Sequence, residues 1–291
     1  MESLYSINLM RSIFLNLSAH TIVPINYGIA KFLADQIPIL QIIWARHFFT
    51  VICIFPIMFF FFKKEIIRSE NPKLQLLRGL VLLAVNISFL YSVTVLPLAK
   101  ALTLTFISPF VVTIFSSFFL SEKVGLQRWT AVIIGFSGAI VVIRPGYVPF
   151  ELGSLVALFC GFAYGFYIII TRKLSNSDSS LLTLIMTGVI GTIVMTPTLA
   201  FVWVTPSKEQ WFLLFLIGVV TMIGHLLLIL SFKFSEASKL APLSYFEIVS
   251  NTIVGYLLFK NFPDNWTLIG LFIIISSGLF VFYREKKIGI I

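Results

Sequence analysis

The sequence of 291 residues is 58% hydrophobic and only 11% charged. So few charged residues exclude a soluble domain of useful size and predict that the chain folds within a lipid bilayer. The formal net charge of +9 does not indicate a nucleic-acid-binding protein, because the basic residues are distributed by side of the membrane rather than gathered on one face.

Ten stretches of mainly apolar residues follow one another, each long enough to cross about 30 Å of hydrocarbon as a helix. The predicted spans are 10–33, 39–62, 79–97, 99–120, 127–144, 152–171, 180–203, 210–231, 241–260 and 266–283. The longest connection, from Lys63 to Arg78, is too short for a nucleotide-binding domain. The sequence therefore predicts an all-α integral membrane protein with ten transmembrane helices.

The basic residues also predict the orientation of these spans. With a cytoplasmic N-terminus, fifteen of the 21 Lys and Arg residues lie on the cytoplasmic side, as the positive-inside rule expects. Both termini are therefore predicted to be cytoplasmic.

The two halves of the chain share a sequence pattern. Residues 98–146 align with residues 237–285, and this alignment places Ser108 opposite Glu247. The copies are five spans apart, an odd number, so the second copy enters the membrane from the opposite side. Such inverted repeats are typical of secondary transporters with a substrate site near the middle of the bilayer. The predicted domains are two five-helix repeats, 1–146 and 147–291.

A series of short motifs occurs in a fixed order along the chain. They are Trp44-Ala45-Arg46-His47, Leu77-Arg78-Gly79, Ser108-Pro109, Ser121 to Gly125, Arg144-Pro145-Gly146, Gly224-His225, Ala241-Pro242 with Tyr245 and Glu247, and Phe262-Pro263-Asp264. In this order they make almost the whole chain resemble the drug/metabolite transporter superfamily, in its EamA-type ten-helix branch. The last group also resembles bacterial S-adenosylmethionine uptake carriers within that superfamily.

The resemblance implies a multi-pass protein of the bacterial inner membrane that binds a small-molecule substrate in a central cavity. The family forms this cavity chiefly from its helices one, three, four, six, eight and nine. One position departs from the family pattern: the first half keeps an acid, Glu122, before its last helix, whereas the second half has Asn261.

Polar residues repeat at helical spacing within several predicted spans, which indicates a polar face inside the membrane. A hydrogen bond between packed helices would explain each of these residues taken singly. Several on one helix face favour a water-filled cavity. The candidate substrate-binding residues are Asn16, His20, Tyr27, Ser108, Tyr164, Tyr167, His225, Tyr245, Glu247 and Asn251.

Glu247 is the only acidic residue well inside a predicted span. An ionised side chain there costs at least about 2.5–3.5 kcal/mol, so a proton, a cationic substrate or a basic partner is expected to stabilise it. Glu247 and Arg46 are therefore candidates for coupling or for charge pairing. The alternative is a structural acid held permanently by Arg46 or by a backbone group, although Arg46 is expected nearer the outer face.

Other classes of protein fit less well. A Gly-Lys dipeptide is absent, which excludes a Walker A loop, and the three histidines lack metal-ligand spacing, so no metal or other cofactor is predicted. An intramembrane enzyme would need paired catalytic groups at one depth, and a single intramembrane acid does not supply them. A passive channel is a third possibility, which an occluded state would distinguish from a carrier.

The sequence thus predicts a secondary transporter, not an enzyme, that moves a small polar organic metabolite by alternating access. S-adenosylmethionine uptake and efflux of amino acids or other metabolites are the alternatives for its cargo. The coupling ion and a homodimeric state are left open.

Overall fold

The computed structural model describes residues 2–61, 69–96, 98–143, 152–260 and 265–287. All regular secondary structure within these ranges is helical, which confirms the all-α prediction. The predicted domain boundary between residues 146 and 147 lies outside the described residues, as does Asn261.

The first half contains six described α-helices between Glu2 and Ile143. They are α1 (Glu2–Ala34), α2 (Ile39–Phe61), α3 (Pro72–Val95), α4 (Leu98–Thr105), α5 (Ser108–Leu120) and α6 (Leu126–Ile143).

The described helices of the second half include two short 3-10 segments, Thr196–Thr198 and Ala241–Tyr245. The α-helices are α7 (Leu152–Leu174), α8 (Ser180–Met195), α9 (Leu199–Val202), α10 (Lys208–Phe234), α11 (Ala237–Leu240), α12 (Phe246–Phe259) and α13 (Asn265–Lys287).

Among the described residues, five helical stretches are long and apolar enough to cross a membrane. They are Ile39–Phe60, Pro72–Ser92, Leu152–Leu174, Ser180–Val202 and Lys208–Phe234. Helix α1 has the length but not the hydropathy, because polar residues such as Asn16, His20 and Asn26 lie within it. The count of ten transmembrane helices stays a prediction.

Three stretches predicted as single spans are not one continuous α-helix: 180–203 contains the 3-10 segment Thr196–Thr198 between α8 and α9, and the other two are 99–120 and 241–260. The stretch 99–120 forms two helices, because the backbone turns at Phe106 and Ile107 just before Pro109. Proline lacks an N–H and disfavours the helical conformation of the preceding residue, so it favours a new helix start. In the stretch 241–260, a 3-10 segment containing Pro242 precedes α12.

The broken stretches 99–120 and 241–260 end alike. Helix α5 ends at Ser121 with φ 55°, and α12 ends at Lys260 with φ 58°. The sequence alignment that pairs Ser108 with Glu247 also pairs Ser121 with Lys260. Broken helices at corresponding positions of two halves are the local feature that most often points to a substrate site in transporters.

The halves are interleaved in space. Helix α1 packs along α10 and also against α12, while α3 packs along α7 and α6 along α13. Gly138 allows the last pair to approach closely, because a Cβ at this position would lie 3.0 Å from the carbonyl oxygen of Gly270. Any space left at the centre is therefore bounded by helices from both halves.

Candidate functional site

A cavity of about 480 Å³ lies at the centre of the helical bundle. Its volume falls within the range of about 300–1,000 Å³ that is usual for small-molecule sites. Its walls come from α1, α2, α3, α4, α5, α7, α10 and α12. The first, third, fourth, sixth, eighth and ninth predicted spans, which the family resemblance implies, correspond to α1, α3, α4 with α5, α7, α10 and α12. Helix α2 lines the cavity in addition. Both halves of the chain thus contribute to the same cavity.

One end of this cavity is open. Lys31, Ala34 and Asp35 line it and are exposed on the surface near the turn between α1 and α2. We call this end of the molecule the open end.

Seven of the residues singled out from the sequence line the cavity: Tyr27, Arg46, Ser108, Tyr164, His225, Glu247 and Asn251. Asn16 and His20 line a smaller pocket of about 20 Å³, which shares Ser108 and Tyr164 with the main cavity. Tyr167 and Tyr245 are fully buried and line neither space. Contact of any of these residues with a substrate stays a prediction.

Tyr245 is part of the packing between helices. Its ring centre lies 5.9 Å from that of Phe106, and a Cβ at Gly135 would lie 2.4 Å from its Cδ2 atom. Its hydroxyl donates to the carbonyl oxygen of Val132 at 3.4 Å. Tyr245 therefore packs between α6 and Phe106, directly behind the cavity lining, and does not line the cavity itself.

Glu247 has a definite partner. His20 Nδ1 lies 2.9 Å from Glu247 Oε2, and both side chains are largely buried, with exposed fractions of 4% and 12%. One turn further along α12, Asn251 Nδ2 donates to the carbonyl oxygen of Glu247 at 2.9 Å. The residue that holds the acid is thus His20 of α1, whereas the sequence-based alternative named Arg46.

Arg46 contacts neutral groups. Its NH1 donates to Asn86 Oδ1 at 3.3 Å, and its NH2 lies 3.0 Å from His225 Nε2. A guanidinium group only donates hydrogen bonds, so His225 Nε2 must accept and the imidazole must be neutral, with its proton on Nδ1. Within the described ranges, Arg46 has no carboxylate partner, and its buried Nε has no hydrogen-bond acceptor.

A second arginine lies behind His225. Arg78 is fully buried and donates to the Tyr167 hydroxyl at 2.6 Å, while His225 Nδ1 lies 3.1 Å from the same hydroxyl. Arg78 also donates to Thr171 Oγ1 at 2.8 Å and to the side-chain oxygen of Thr187. A continuous line of hydrogen bonds therefore runs from Arg78 to Arg46.

Arg78 was recognised from the sequence only as part of a motif, and Asn86 was not singled out. The available signal was the set of polar residues in α3, which includes Gln75, Arg78 and Asn86. These residues enter the site because α3 packs beside α7.

At the other end of the molecule the two halves are joined. Glu122, which follows α5, accepts hydrogen bonds from the backbone N–H groups of Ala237 and Ser238, each at 2.9 Å. Arg128 NH1 lies 2.9 Å from Glu236 Oε2 and donates to Ser238 Oγ at 2.8 Å. We call this end, which is defined by these residues, the closed end.

Comparison with known proteins identifies the family. The EamA-like transporter family matches residues 10–144 and again residues 151–283. The chain therefore belongs to the EamA-like transporter family.

The relatives that match this chain include transporters of several small metabolites. An S-adenosylmethionine uptake transporter of Rickettsia bellii is 30% identical over 90% of this chain and 90% of its own length. A riboflavin transporter of Vibrio cholerae is 29% identical over 66% of this chain and 64% of its own. A pseudopaline exporter of Pseudomonas aeruginosa is 28% identical over 75% of this chain and 77% of its own.

A solved crystal structure has the same fold. It superposes with a TM-score of 0.80 at 14% sequence identity and covers 97% of this chain and 99% of the other. Family membership and the apolar helices together define a multi-pass membrane protein that transports small metabolites.

Proposed function

We propose that this protein carries a small polar metabolite across the inner membrane of a bacterium by alternating access. Its two domains, residues 1–146 and 147–291, would be inverted five-helix repeats that together form ten transmembrane helices. The observation that carries the proposal is the central cavity, which both halves line and which reaches the exposed residues Lys31, Ala34 and Asp35 at one end of the molecule.

The contacts at the closed end support a carrier over a passive channel. A carrier needs a barrier on one side of its site in each state, and that barrier must come apart in the other state. Glu122 forms such a barrier through hydrogen bonds to two backbone groups of the other half. These bonds can separate without unfolding either half.

The positive-inside pattern predicts which side of the membrane each end of the molecule faces. If both termini are cytoplasmic, the end with Lys31 and Asp35 faces outward and the end with Glu122 faces the cytoplasm. The proposed state is then open to the outside, and the substrate-binding residues are those that line the cavity.

An impermeant thiol reagent tests the orientation. On a background without the two native cysteines, a cysteine at Lys208 should react in intact cells, whereas one at Lys173 should react only after the cells are opened. Both positions are exposed, so local burial does not bias the comparison. The reverse pattern would contradict the proposed topology.

S-adenosylmethionine is the first candidate substrate, because the transporters of that compound match this chain over most of its length. Proteoliposomes that contain the purified chain should take up labelled S-adenosylmethionine faster than empty vesicles. Uptake at the rate of empty vesicles would remove this substrate. Riboflavin transport and metabolite export, named for other relatives, are the next assays to run on the same preparation.

A further inference from the structure

We propose that this carrier is driven by protons, and that His20 passes each proton from the main cavity to the small pocket that it lines. This inference rests on the proposed transport function and names the coupling ion. In the proposed cycle, Glu247 takes up the proton from the main cavity. The small pocket releases it to the other side of the membrane when the closed end opens.

The first observation is the position of the pair of His20 and Glu247 between two spaces. Glu247 lines the main cavity, whereas His20 lines the small pocket. His20 Nδ1 lies 2.9 Å from Glu247 Oε2, which is a hydrogen-bond distance. A proton can therefore pass from the carboxyl oxygen to the ring nitrogen within the existing contact.

The pair has two states that differ by one proton. A carboxylate beside a neutral imidazole carries one negative charge in total, and one further proton makes the pair neutral. In the transfer, the Oε2–H bond of Glu247 breaks while an Nδ1–H bond forms on His20. The Nε2–H bond of His20 then breaks as its proton passes to water, and the carboxylate remains beside a neutral imidazole. Because an unpaired charge is costly inside a membrane, the carrier is expected to change sides with the pair in its neutral state.

The second observation is an unused acceptor in the small pocket. Asn16 lies one helical turn before His20 and is 1% exposed. Its Nδ2 donates to Ser231 Oγ at 3.3 Å, and the Ser231 hydroxyl donates in turn to the carbonyl oxygen of Leu228. The hydroxyl has a single proton, so it can only accept from Asn16, and this fixes the orientation of the amide. Asn16 Oδ1 is left buried without a hydrogen-bond partner among the described residues.

This oxygen requires a hydrogen-bond donor in the pocket. A volume of about 20 Å³ is room for one water molecule. Ser244 also lines the pocket, and the proton of its hydroxyl is already donated to the carbonyl oxygen of Ala241. Asn16 and Ser244 thus both present acceptors, and acceptors stabilise a water molecule that has just received a proton from His20.

The third observation is the place to which the small pocket leads. Its lining includes Phe232 and Ala237. The carbonyl oxygen of Phe232 accepts a hydrogen bond from Arg172, and the N–H group of Ala237 donates to Glu122. Since these groups belong to the closed end, their separation would admit water to the pocket and let the proton leave.

Other titratable groups line the main cavity and face Glu247. The cations are Arg46 and Lys31, the acid is Asp35, and the neutral groups are Tyr27, Cys160, Tyr164 and His225. Lys31 and Asp35 lie at the exposed open end, where their opposite charges offset each other. Arg46 keeps its charge and favours release of the proton from the pair. Protonation of His225 would break its contact with Arg46, so the pair is the group that we expect to take up the coupling proton.

The two spaces also favour symport, in which proton and substrate cross in the same direction. His20 lines the small pocket and, among the described residues, is not part of the lining of the main cavity. The proton can therefore be held on His20 while a substrate occupies the cavity. Exchange of one for the other would need a single shared site.

Uptake by the wild-type chain in an imposed pH gradient tests the coupling. The full-length protein is reconstituted in proteoliposomes, the membrane potential is clamped at zero with potassium and valinomycin, and labelled S-adenosylmethionine is added outside. With the outside one pH unit more acidic, the internal concentration should rise to about tenfold the external one. A sodium gradient without a pH gradient should give no accumulation.

Two variants test the path. Exchange of labelled for unlabelled S-adenosylmethionine does not require release of the proton, whereas net uptake does. His20→Gln and Asn16→Leu should therefore lower net uptake in the gradient at least about tenfold and lower exchange by less. The matched control is Thr21→Val, at an exposed position of α1 outside the described lining of both spaces. It should behave as wild type, and full net uptake in His20→Gln would exclude His20 from the path.

A titration without substrate measures proton uptake by the pair directly. Infrared difference spectra of the full-length protein in lipid nanodiscs should show a protonated carboxyl or an imidazolium band that appears as the pH falls. This band should be absent in Glu247→Gln and altered in His20→Gln.

Three results would overturn the inference. The first is wild-type protein that exchanges S-adenosylmethionine but does not concentrate it in the pH gradient. The second is accumulation that follows a sodium gradient instead. The third is a titration in which no band depends on Glu247. Absence of both uptake and exchange would instead count against the proposed cargo, because the titration still measures the proton on the pair.

Discussion

The open and closed ends of the molecule are joined by different kinds of bond. At the open end, neutral amides connect the halves: Gln41 Nε2 donates to the carbonyl oxygen of Val204 at 2.8 Å, and Gln210 Nε2 donates to Gln36 Oε1 at 2.7 Å. At the closed end, the carboxylate of Glu122 accepts two backbone hydrogen bonds. Hydrogen bonds to an ionised group are roughly twice as strong as neutral ones.

The described bonds between the halves are therefore stronger at the closed end, where they surround Ala237 and Ser238. The neutral bonds lie at the end where the cavity reaches exposed residues. The sequence carries the same asymmetry, since Glu122 aligns with Asn261 in the second half.

The largest effect is expected at Glu247, which lies at the border between the main cavity and the small pocket that His20 lines. Glu247→Gln keeps the volume and removes the charge, so transport should be abolished, while loss of the charged contact with His20 should lower the free energy of unfolding by about 3 kcal/mol at most. Both quantities are measured on one purified preparation. Full specific activity with reduced stability would make Glu247 a structural acid.

The next effect is expected at Glu122. Glu122→Gln replaces one acceptor oxygen with a donor and removes the charge, and a hydrogen bond to a charged group contributes about 1.5–3 kcal/mol. The ratio of closed to opened molecules at this end should therefore fall by about 10- to 150-fold.

Opening of the closed end can be measured with a cysteine at Ser235, which is 8% exposed and lies close in sequence to Ala237 and Ser238. More frequent opening should make this cysteine react faster with an impermeant thiol reagent. The matched control is Glu209→Gln, which removes an exposed acid at the start of α10. Equal acceleration by the control, or none by Glu122→Gln, would mean that Glu122 does not hold this end closed.

The smallest effect is expected from the ion pair of Arg128 with Glu236, whose side chains are 16% and 33% exposed. Solvent screening limits such a pair to about 0–1 kcal/mol. Burial alone would raise the pKa of Glu236, but the hydrogen bond from Lys239 and the charges of Lys239 and Arg128 hold it below its usual value of 4.5.

A carboxyl group with a lowered pKa stabilises the folded state above its unfolded pKa, and this contribution is lost as the pH falls through the folded value. The stability difference between wild type and Arg128→Gln should thus be present at neutral pH and vanish at a pH below the folded pKa of Glu236. Thermal unfolding at the two pH values measures it. A difference that persists in acid would assign the effect of Arg128 to its bond with Ser238.

The sequence predicted those parts of the site that depend on helical spacing. Glu247 and Asn251 are one turn apart on α12, and both line the cavity. Tyr27 belongs to the polar residues at helical spacing in α1, and it lines the same cavity. Apolar composition likewise predicted helices throughout the described residues.

The contacts between helices could not be predicted in this way. The bond between His20 and Glu247 joins residues 227 positions apart, and the position of Tyr167 between Arg78 and His225 depends on how three helices pack. The break at Phe106 and Ile107 was missed because both residues are apolar and continue a hydrophobic run. Each of these features is set by tertiary packing, which a one-dimensional pattern does not contain.

Distances across the two ends test the central claim of alternating access most directly. Spin labels on cysteines at Lys123 and Lys233 would span the closed end, and labels at Asp35 and Lys260 would span the open end. The account predicts opposite changes: any substrate or variant that lengthens the first distance shortens the second. A population in which both distances are long would be an open pore, and it would contradict a carrier with one barrier at a time.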